Sequence, residues 1–251
     1  MLAGATYPDL SGAGVFITGG ATGIGAAMVR AFHEQNARVA FNDIDTAAGD
    51  SLAAALGNDC TFLPADASDP SALQASVRDA EALTGGLTVL INNVADDRRE
   101  TPEDISPDGW RQNLAINLDP VIFASQAALP AMVSRKAGRI VNFSSLNAYL
   151  GPADLPTYTA AKAAILGLTK SLARHYGPSG IAVNAIVPGW VVTDKQRQLW
   201  LTPEAEAQWK DQCALKADLL PEHVASLALF LASDASRMIT GQAYTIDAGR
   251  T

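Results

Sequence analysis

The chain has 251 residues, 48% of them hydrophobic, and a formal net charge of −8. That length suits one large α/β unit better than two small ones. The acidic balance argues against nucleic acid and anionic membrane surfaces as partners.

Cys60 and Cys213 stand alone, and His33, His175 and His223 are scattered without ligand spacing. A disulfide framework and a metal site are therefore not expected, and the histidines read as surface or helix-end residues. Met1–Leu10 has neither the basic region nor the apolar core of a signal peptide, and no apolar run approaches membrane-spanning length. A cytoplasmic enzyme is the expectation.

In chain order, Gly14–Thr18 reads as a short buried strand. Gly19-Gly-Ala-Thr-Gly-Ile-Gly25 follows, then a helical stretch from Ala26 to Gln35. Strand, glycine turn and helix form the context that a dinucleotide site requires. Glycines let the backbone approach a pyrophosphate, and the helix N-terminus offers it unpaired N–H groups. The spacing is G-x-x-x-G-x-G, and Gly19, Thr22, Gly23, Ile24 and Gly25 are the candidate contacts.

A second strand, Arg38–Asp43, ends in an acid eighteen residues after Gly25. An acid there can bond the adenosine ribose hydroxyls and repels a 2′-phosphate. No Arg or Lys follows immediately, which favours NAD over NADP. Asp45 is a competitor for this role, or else the N-cap of a helix over Thr46–Leu56. Thr61–Asp66 reads as the third strand. Asp66 can accept a hydrogen bond from the adenine amino group, with Ala67 beside it, or can be an ordinary loop acid. Ser68 or Asp69 caps a helix running to Leu83.

Leu87–Ile91 is the fourth strand and runs into Asn92-Asn93-Val94-Ala95. Two amides at a strand end can tie neighbouring strands together and line a cofactor pocket, which makes Asn93 a candidate. Asp96–Glu100 is a charged loop, either solvated or reaching the rim of the site. Gly109–Met132 is a long helical stretch interrupted at Asp119-Pro120, because proline removes a backbone bond. Asn117 sits just before that break, where freed groups can face water.

Residues 138–145 read as the fifth strand and 156–176 as a long helix. Tyr158 and Lys162 are four apart, so they share one helical face. A nearby cation favours the charged form of a phenol and lowers its pKa toward the range of a general base. If the strand ending at Ser145 passes beside this helix, hydroxyl, phenol and ammonium meet.

Ile181–Ile186 is the sixth strand, followed by Pro188-Gly189-Trp190. Pro188, Gly189, Val191 and Thr193 are further cofactor candidates. Residues 194–220 are polar, carry Trp200 and Trp209, and interrupt the alternation. They read as part of a substrate lid at about 190–220. Its aromatics and amides suit a sugar, or the two tryptophans pack a helix pair. Asn147, Asp154, Trp190, Gln196 and Trp200 are candidate substrate contacts, with Ser145 and Tyr158. Pro221–Ala232 is a helix and Ala243–Asp247 the last strand. Seven strands alternating with helices imply a parallel sheet covered on both faces.

Thr18-Gly-Gly-Ala-Thr-Gly-Ile-Gly25, Asp66, Asn92-Asn93, Asn117, Ser145, Tyr158-x-x-x-Lys162 and Pro188-Gly189 together resemble the short-chain dehydrogenase/reductase family over nearly the full length. The resemblance implies a single-domain Rossmann-like three-layer αβα sandwich with a seven-stranded parallel sheet, assembled as a dimer or, as expected here, a homotetramer. It implies Tyr158 as general acid/base and Ser145 as the substrate-orienting hydroxyl. Lys162 would bind the nicotinamide ribose and depress the Tyr158 pKa, and Asn117 would hold a water in a proton relay. One departure is visible: the family's usual Asn-Asn-Ala-Gly is Asn92-Asn-Val-Ala95 here, which adds bulk near the cofactor.

A narrower likeness lies in Asn92-Asn-Val-Ala-Asp-Asp-Arg-Arg99, Pro188-Gly-Trp-Val-Val-Thr-Asp-Lys-Gln196 and Leu199-Trp-Leu-Thr-Pro-Glu204. These resemble bacterial aldose 1-dehydrogenases, which implies NAD-dependent oxidation of a sugar at its anomeric carbon to the lactone. The alternative is an NAD(P)H-dependent carbonyl or 3-oxoacyl reductase, which Asp43 disfavours. A non-catalytic nucleotide-binding regulator is disfavoured by the intact Ser145, Tyr158 and Lys162.

Overall fold

Strands and helices alternate along the chain as the hydrophobic pattern requires. The first half holds β1 (Gly14–Thr18), α1 (Gly23–Glu34), β2 (Arg38–Asp43), α2 (Thr46–Leu56), β3 (Cys60–Pro64), α3 (Pro70–Leu83) and β4 (Leu87–Asn92). Then come α4 (Pro107–Asn117), α5 (Asp119–Arg135), β5 (Gly138–Phe143), α6 (Asn147–Leu150) and α7 (Pro156–Tyr176). The chain closes with β6 (Ile181–Pro188), α8 (Asp194–Leu199), α9 (Pro203–Gln212), α10 (Pro221–Ala232) and β7 (Ala243–Ile246). The structure is a computed structural model and describes residues 5–251; residues 1–4, the start of the stretch read above against a signal peptide, lie outside the described residues.

The seven strands form one parallel sheet in the order β3-β2-β1-β4-β5-β6-β7. Every residue of β1 and β6 is buried. Such unbroken apolar runs are what parallel strands covered on both faces require. Side chains alternate across the sheet. Val15 and Ile17 join Met28, Phe32, Val224 and Ala228 under α1 and α10. Phe16 joins Leu73, Val77, Leu129 and Met132 under α3 and α5. Two cores thus flank the sheet and give the three layers.

Several boundaries move, each for a local reason. α1 starts at Gly23, not Ala26. A Cβ on Gly25 would lie 1.9 Å from the Gly19 carbonyl oxygen, so only glycine lets the helix begin this close to the turn. β3 stops at Pro64, which leaves Asp66 in the following turn. The long helical stretch is two helices, broken at Leu118 (φ −125°, ψ −49°), so Pro120 lies in the first turn of α5, where a proline costs little. Taken together, Pro107–Arg135 is long and apolar enough to cross a membrane by composition, contrary to the sequence expectation. In the fold, Ala124, Ala128, Leu129 and Met132 spend that apolar face on α3, β4 and β5. His33 and His175 fall in the last turns of α1 and α7, and His223 Nδ1 accepts the Leu220 N–H at the start of α10 (2.9 Å).

A buried polar seam runs behind the C-terminal strand ends. Asn92 Nδ2 donates to Asn142 Oδ1 (2.9 Å), and Asn142 Nδ2 donates to Thr169 Oγ1 (2.9 Å). The seam ties β4 to β5 and β5 to α7. Asn142→Ala would leave the Asn92 amide with only its long bond to Ser125 Oγ (3.4 Å) and remove the Asn142 partner of the buried Thr169 hydroxyl, at about 1–3 kcal/mol for a group left unpaired. The urea unfolding midpoint is expected to fall accordingly; an unchanged midpoint would show that the seam contributes nothing to stability.

Candidate active site

The chain starts at β1, works outward to β3, and then crosses back to β4 on the other side of β1. At that reversal the connections leave in opposite directions, and a crevice opens beyond the strand ends. A cleft of about 1210 Å³ occupies this place. Gly19, Thr22, Gly23, Ile24, Gly25, Asp43, Asp66, Ala67 and Asn93 line one part of it. Ser145, Asn147, Asp154, Tyr158, Lys162, Pro188, Gly189, Trp190, Val191, Thr193 and Gln196 line the other.

The glycine turn is held from below. Asn93 Nδ2 donates to the carbonyls of Thr18 (3.0 Å) and Gly19 (2.9 Å), while Thr18 Oγ1 accepts the N–H groups of Asn93 and Val94. Asn93 therefore fixes the turn. Gly19 has φ +66°, and a Cβ there would press to 3.0 Å from Val94 Cα. Thr22 precedes α1 without a side-chain cap, which leaves the first-turn N–H groups for a ligand. This cradle fits a dinucleotide pyrophosphate.

Asp43 Oδ2 accepts the Ala21 N–H (3.0 Å) and Oδ1 accepts the Asp45 N–H (3.1 Å), so the backbone fixes its carboxylate at the cleft wall. Asp45 caps α2 by accepting the Ala48 N–H (3.0 Å) and leaves the ribose position to Asp43. Asp66 Oδ1 takes the N–H and hydroxyl of Ser68, an ordinary turn bond. Its second oxygen has no hydrogen-bond partner among the described residues. Val191 is set by a parallel bridge to Leu219. Thr193 Oγ1 caps α8 by accepting the Gln196 N–H (3.2 Å), and its methyl is 3.4 Å from where a Gly23 Cβ would stand. A Cβ on Gly189 would meet Asp247 at 2.9 Å, so that turn also needs glycine.

Ser145 follows β5 by two residues, and Tyr158 sits in the first turn of α7, with Lys162 one turn on. The structure brings all three together. Lys162 Nζ lies 5.6 Å from the centre of the Tyr158 ring and donates to the Phe143 carbonyl (3.0 Å). Ser145 Oγ accepts the Asn147 N–H (3.2 Å) and lies near enough to the phenol to bear on its pKa. Burial pushes the Tyr158 pKa up to about 12; Ser145 opposes the shift, and the Asp97 and Asp96 carboxylates add to it. Burial also drives Lys162 down to about 7. This reverses the direction expected for Tyr158. Desolvation of the phenol outweighs the Ser145 hydrogen bond, and the same desolvation pushes the neighbouring ammonium toward neutrality.

Asn117 differs from expectation in its side chain. Oδ1 accepts the Asp96 N–H (2.9 Å), and Nδ2 donates to the Asp96 carbonyl (2.9 Å) and to Asn113 Oδ1 (3.1 Å). The amide is consumed in holding the loop after β4 and does not face water. The main chain is another matter. Pro120 has no N–H to offer the Asn117 carbonyl, and the Val121 N–H goes to Leu118 instead (3.1 Å). The helix break thus frees the carbonyl.

Most of the expected substrate contacts are partnered with protein. Trp190 Nε1 donates to Gln196 Oε1 (2.7 Å), and Gln196 Nε2 donates to Asp97 Oδ2 (3.0 Å). Asp154 pairs with Arg99, whose guanidinium lies 4.4 Å over the Trp200 ring. Trp200 and Trp209 do not pack on each other; Trp209 meets Trp190 edge-on at 5.7 Å. Asn147 keeps a side-chain amide with no hydrogen-bond partner among the described residues. The loop Asp96–Glu100 does reach the rim, with Asp97 and Arg99 in the cleft lining, whereas the sequence reading gave no individual role to either and did not name Gln112. The one signal was that charge cluster.

A family model described as "Enoyl-(Acyl carrier protein) reductase" matches residues 19–251. The chain is 44% identical over 247 residues to a Rhizobium meliloti protein named "Probable galactose dehydrogenase GalD", covering 97% of this chain and 96% of that one. It is 40% identical over 248 residues to the D-xylose 1-dehydrogenase of Caulobacter vibrioides, covering 99% of each. Among solved structures, the 3-oxoacyl-[acyl-carrier protein] reductase of Brucella melitensis superposes with a TM-score of 0.90 at 31% identity, over 97% of this chain and 92% of that one. A blue fluorescent protein from a metagenomic library, solved with NADPH, gives 0.89 at 29%, over 97% and 99%. Likeness of this extent, in sequence as well as in fold, means that the chain belongs to the short-chain dehydrogenase/reductase family of oxidoreductases acting on CH–OH groups.

Proposed function

We propose that the protein oxidises an aldose at the anomeric carbon to the sugar lactone, with NAD as hydride acceptor. The observation that carries the substrate class is the similarity over nearly full length, at 44% and 40% identity, to proteins named as galactose and xylose dehydrogenases. Asp43 supports NAD: its backbone-fixed carboxylate suits ribose hydroxyls and repels a 2′-phosphate. The reductase reading draws support from the Brucella enzyme and from the family model's description. A carboxylate facing the ribose counts against it, because such reductases more often use the phosphorylated cofactor.

The residues divide the work. Gly19, Gly23 and Gly25, with the N–H groups of Thr22 and Ile24 at the start of α1, hold the pyrophosphate. Asp43 takes the adenosine ribose, and Asp66 with Ala67 the adenine. Asn93 keeps the turn in shape. Pro188, Gly189, Val191 and Thr193 border the nicotinamide end. When bound, the oxidised nicotinamide supplies the hydride acceptor and a positive charge.

Ser145 orients the anomeric hydroxyl, and Tyr158 removes its proton as the hydride leaves the carbon. Lys162 has further N–H groups beyond the one given to Phe143, enough to reach the ribose and support the phenolate. The freed Asn117 carbonyl can hold the next water of the proton path. Asn147 is the expected substrate contact whose amide is still unpartnered. The family resemblance also supports a homotetramer.

NADH formation from NAD⁺ with a panel of pentoses, hexoses and deoxyhexoses tests the reading. Turnover confined to one stereochemical set is expected, and silence across the panel with reduction of a 3-oxoacyl substrate would overturn it. Tyr158→Phe is expected to lower kcat about 10²–10⁴-fold while NAD⁺ binding, read by calorimetry, is retained. A phenol raised toward 12 must lose its proton to act as base, so kcat/KM for oxidation rises with pH from neutral into the alkaline range. A flat profile would remove Tyr158 from the proton transfer. Asp43→Ala is expected to narrow the preference for NAD⁺ over NADP⁺, measured as the ratio of their dissociation constants; an unchanged ratio would place the selector elsewhere.

A further inference from the structure

We infer that Asp97 is a positioning residue: it fastens the segment 190–200 over the substrate end of the cleft and sets the Trp190 indole without touching substrate. The argument begins with what α8 lacks. None of its six residues is buried, so no core packing fixes its place. Apart from a long Arg197–Asp218 ion pair (3.6 Å), what holds it comes from the loop after β4, about a hundred positions away in sequence. Asp97 Oδ1 accepts from Lys195 Nζ (2.9 Å), and Oδ2 accepts from Gln196 Nε2 (3.0 Å).

The second bond decides an orientation. A primary amide has one donating end and one accepting end. With its nitrogen on Asp97, Gln196 must turn its oxygen outward, and that oxygen accepts the Trp190 Nε1–H at 2.7 Å. Trp190 is then braced edge-on by Trp209. The chain Asp97, Gln196, Trp190 therefore transmits the place of a loop to an aromatic wall of the cleft. Partial burial raises the Asp97 pKa, but the hydrogen bond and charge of Lys195 and the bond from Gln196 outweigh it. The net shift is downward, and the carboxylate stays an acceptor at neutral pH.

The same loop grips the far end of α8. Arg99 pairs with Asp154 and lies over the ring of Trp200, the residue just past the helix. Both ends of α8 thus hang on one loop, and the loop is itself held by Asn117 through the Asp96 backbone. The pairs are partly exposed, so their effect on global stability is small. Their effect on where Trp190 stands is not.

The experiment uses the full chain and its Asp97→Ala variant, with two readouts. The first is trypsin cleavage after Lys195 and Arg197 in α8, mapped by mass spectrometry. It is expected to accelerate about tenfold as the local opening equilibrium shifts, while the urea midpoint stays near wild type. The second, which rests on the sugar reading above, is steady-state kinetics. KM for the sugar is expected to rise about tenfold, and in a Gln196→Ala background Asp97→Ala adds less than about twofold to KM, because both act on the Trp190 wall through one chain of bonds; kcat is read separately, since Asp97 also raises the Tyr158 pKa. A KM rise without faster cleavage would mean that Asp97 meets substrate directly and would overturn the proposal, as would additive effects of the two substitutions. Unchanged cleavage would overturn it as well. If no sugar is turned over, the sugar reading fails while the cleavage readout still decides this one.

Discussion

The reversal of strand order between β1 and β4 is the constraint on which the site depends. Parallel strands on either side of that point send their connections to opposite faces, so the chain cannot cover the gap above them. Thr18 and Asn93 stitch the two strand ends together across it. The glycine turn rests on that stitch, and α1 begins directly above it because Gly25 carries no Cβ. Strand order, turn and helix start are therefore one arrangement, and each part fails without the others.

On the far side of the cleft, a single physical cause acts on two groups in opposite senses. Burial raises the Tyr158 pKa and lowers that of Lys162, since both lose the solvation of their charged forms. The pair resting in the cleft is poised toward neutrality, with a phenol reluctant to ionise. Charges brought in by ligands then act at full strength, because little water remains to screen them. The backbone around the pair is correspondingly well anchored: Phe143 takes Lys162, Ser144 bonds the Lys162 carbonyl, and the Asn92–Asn142–Thr169 seam lies behind.

Much of this was legible in the sequence because it is local. Strands read as apolar runs, the glycine turn sits between strand and helix, and Tyr158 and Lys162 share a helix face by spacing alone. Ser145 joins them in the sequence on the condition that the strand leading to it passes beside the helix, which β5, ending two residues earlier at Phe143, does. What escaped was set by contacts between distant residues. Gly25 reads as the last residue of the turn, with the helix starting at Ala26, yet it lies inside the helix and gives it its close approach. The break before Pro120 reads as freeing backbone groups and turning Asn117 to water; no partner for its carbonyl is found among the described residues, but its side-chain amide is spent on the Asp96 backbone and Asn113. Gln196, Asp154 and Trp200 read as substrate contacts because nothing local reveals that Asp97 and Arg99 occupy them.

The separation of α8 and α9 from the two cores has an evolutionary consequence. Neither helix has a fully buried side chain, so, Trp209 apart, substitutions along them remove little apolar area from the folded state. Stability and the shape of this side of the cleft are thereby lodged largely in different residues. Residues 194–212 and the facing loop can therefore change with little effect on the sheet, the glycine turn or the Tyr158–Lys162 pair.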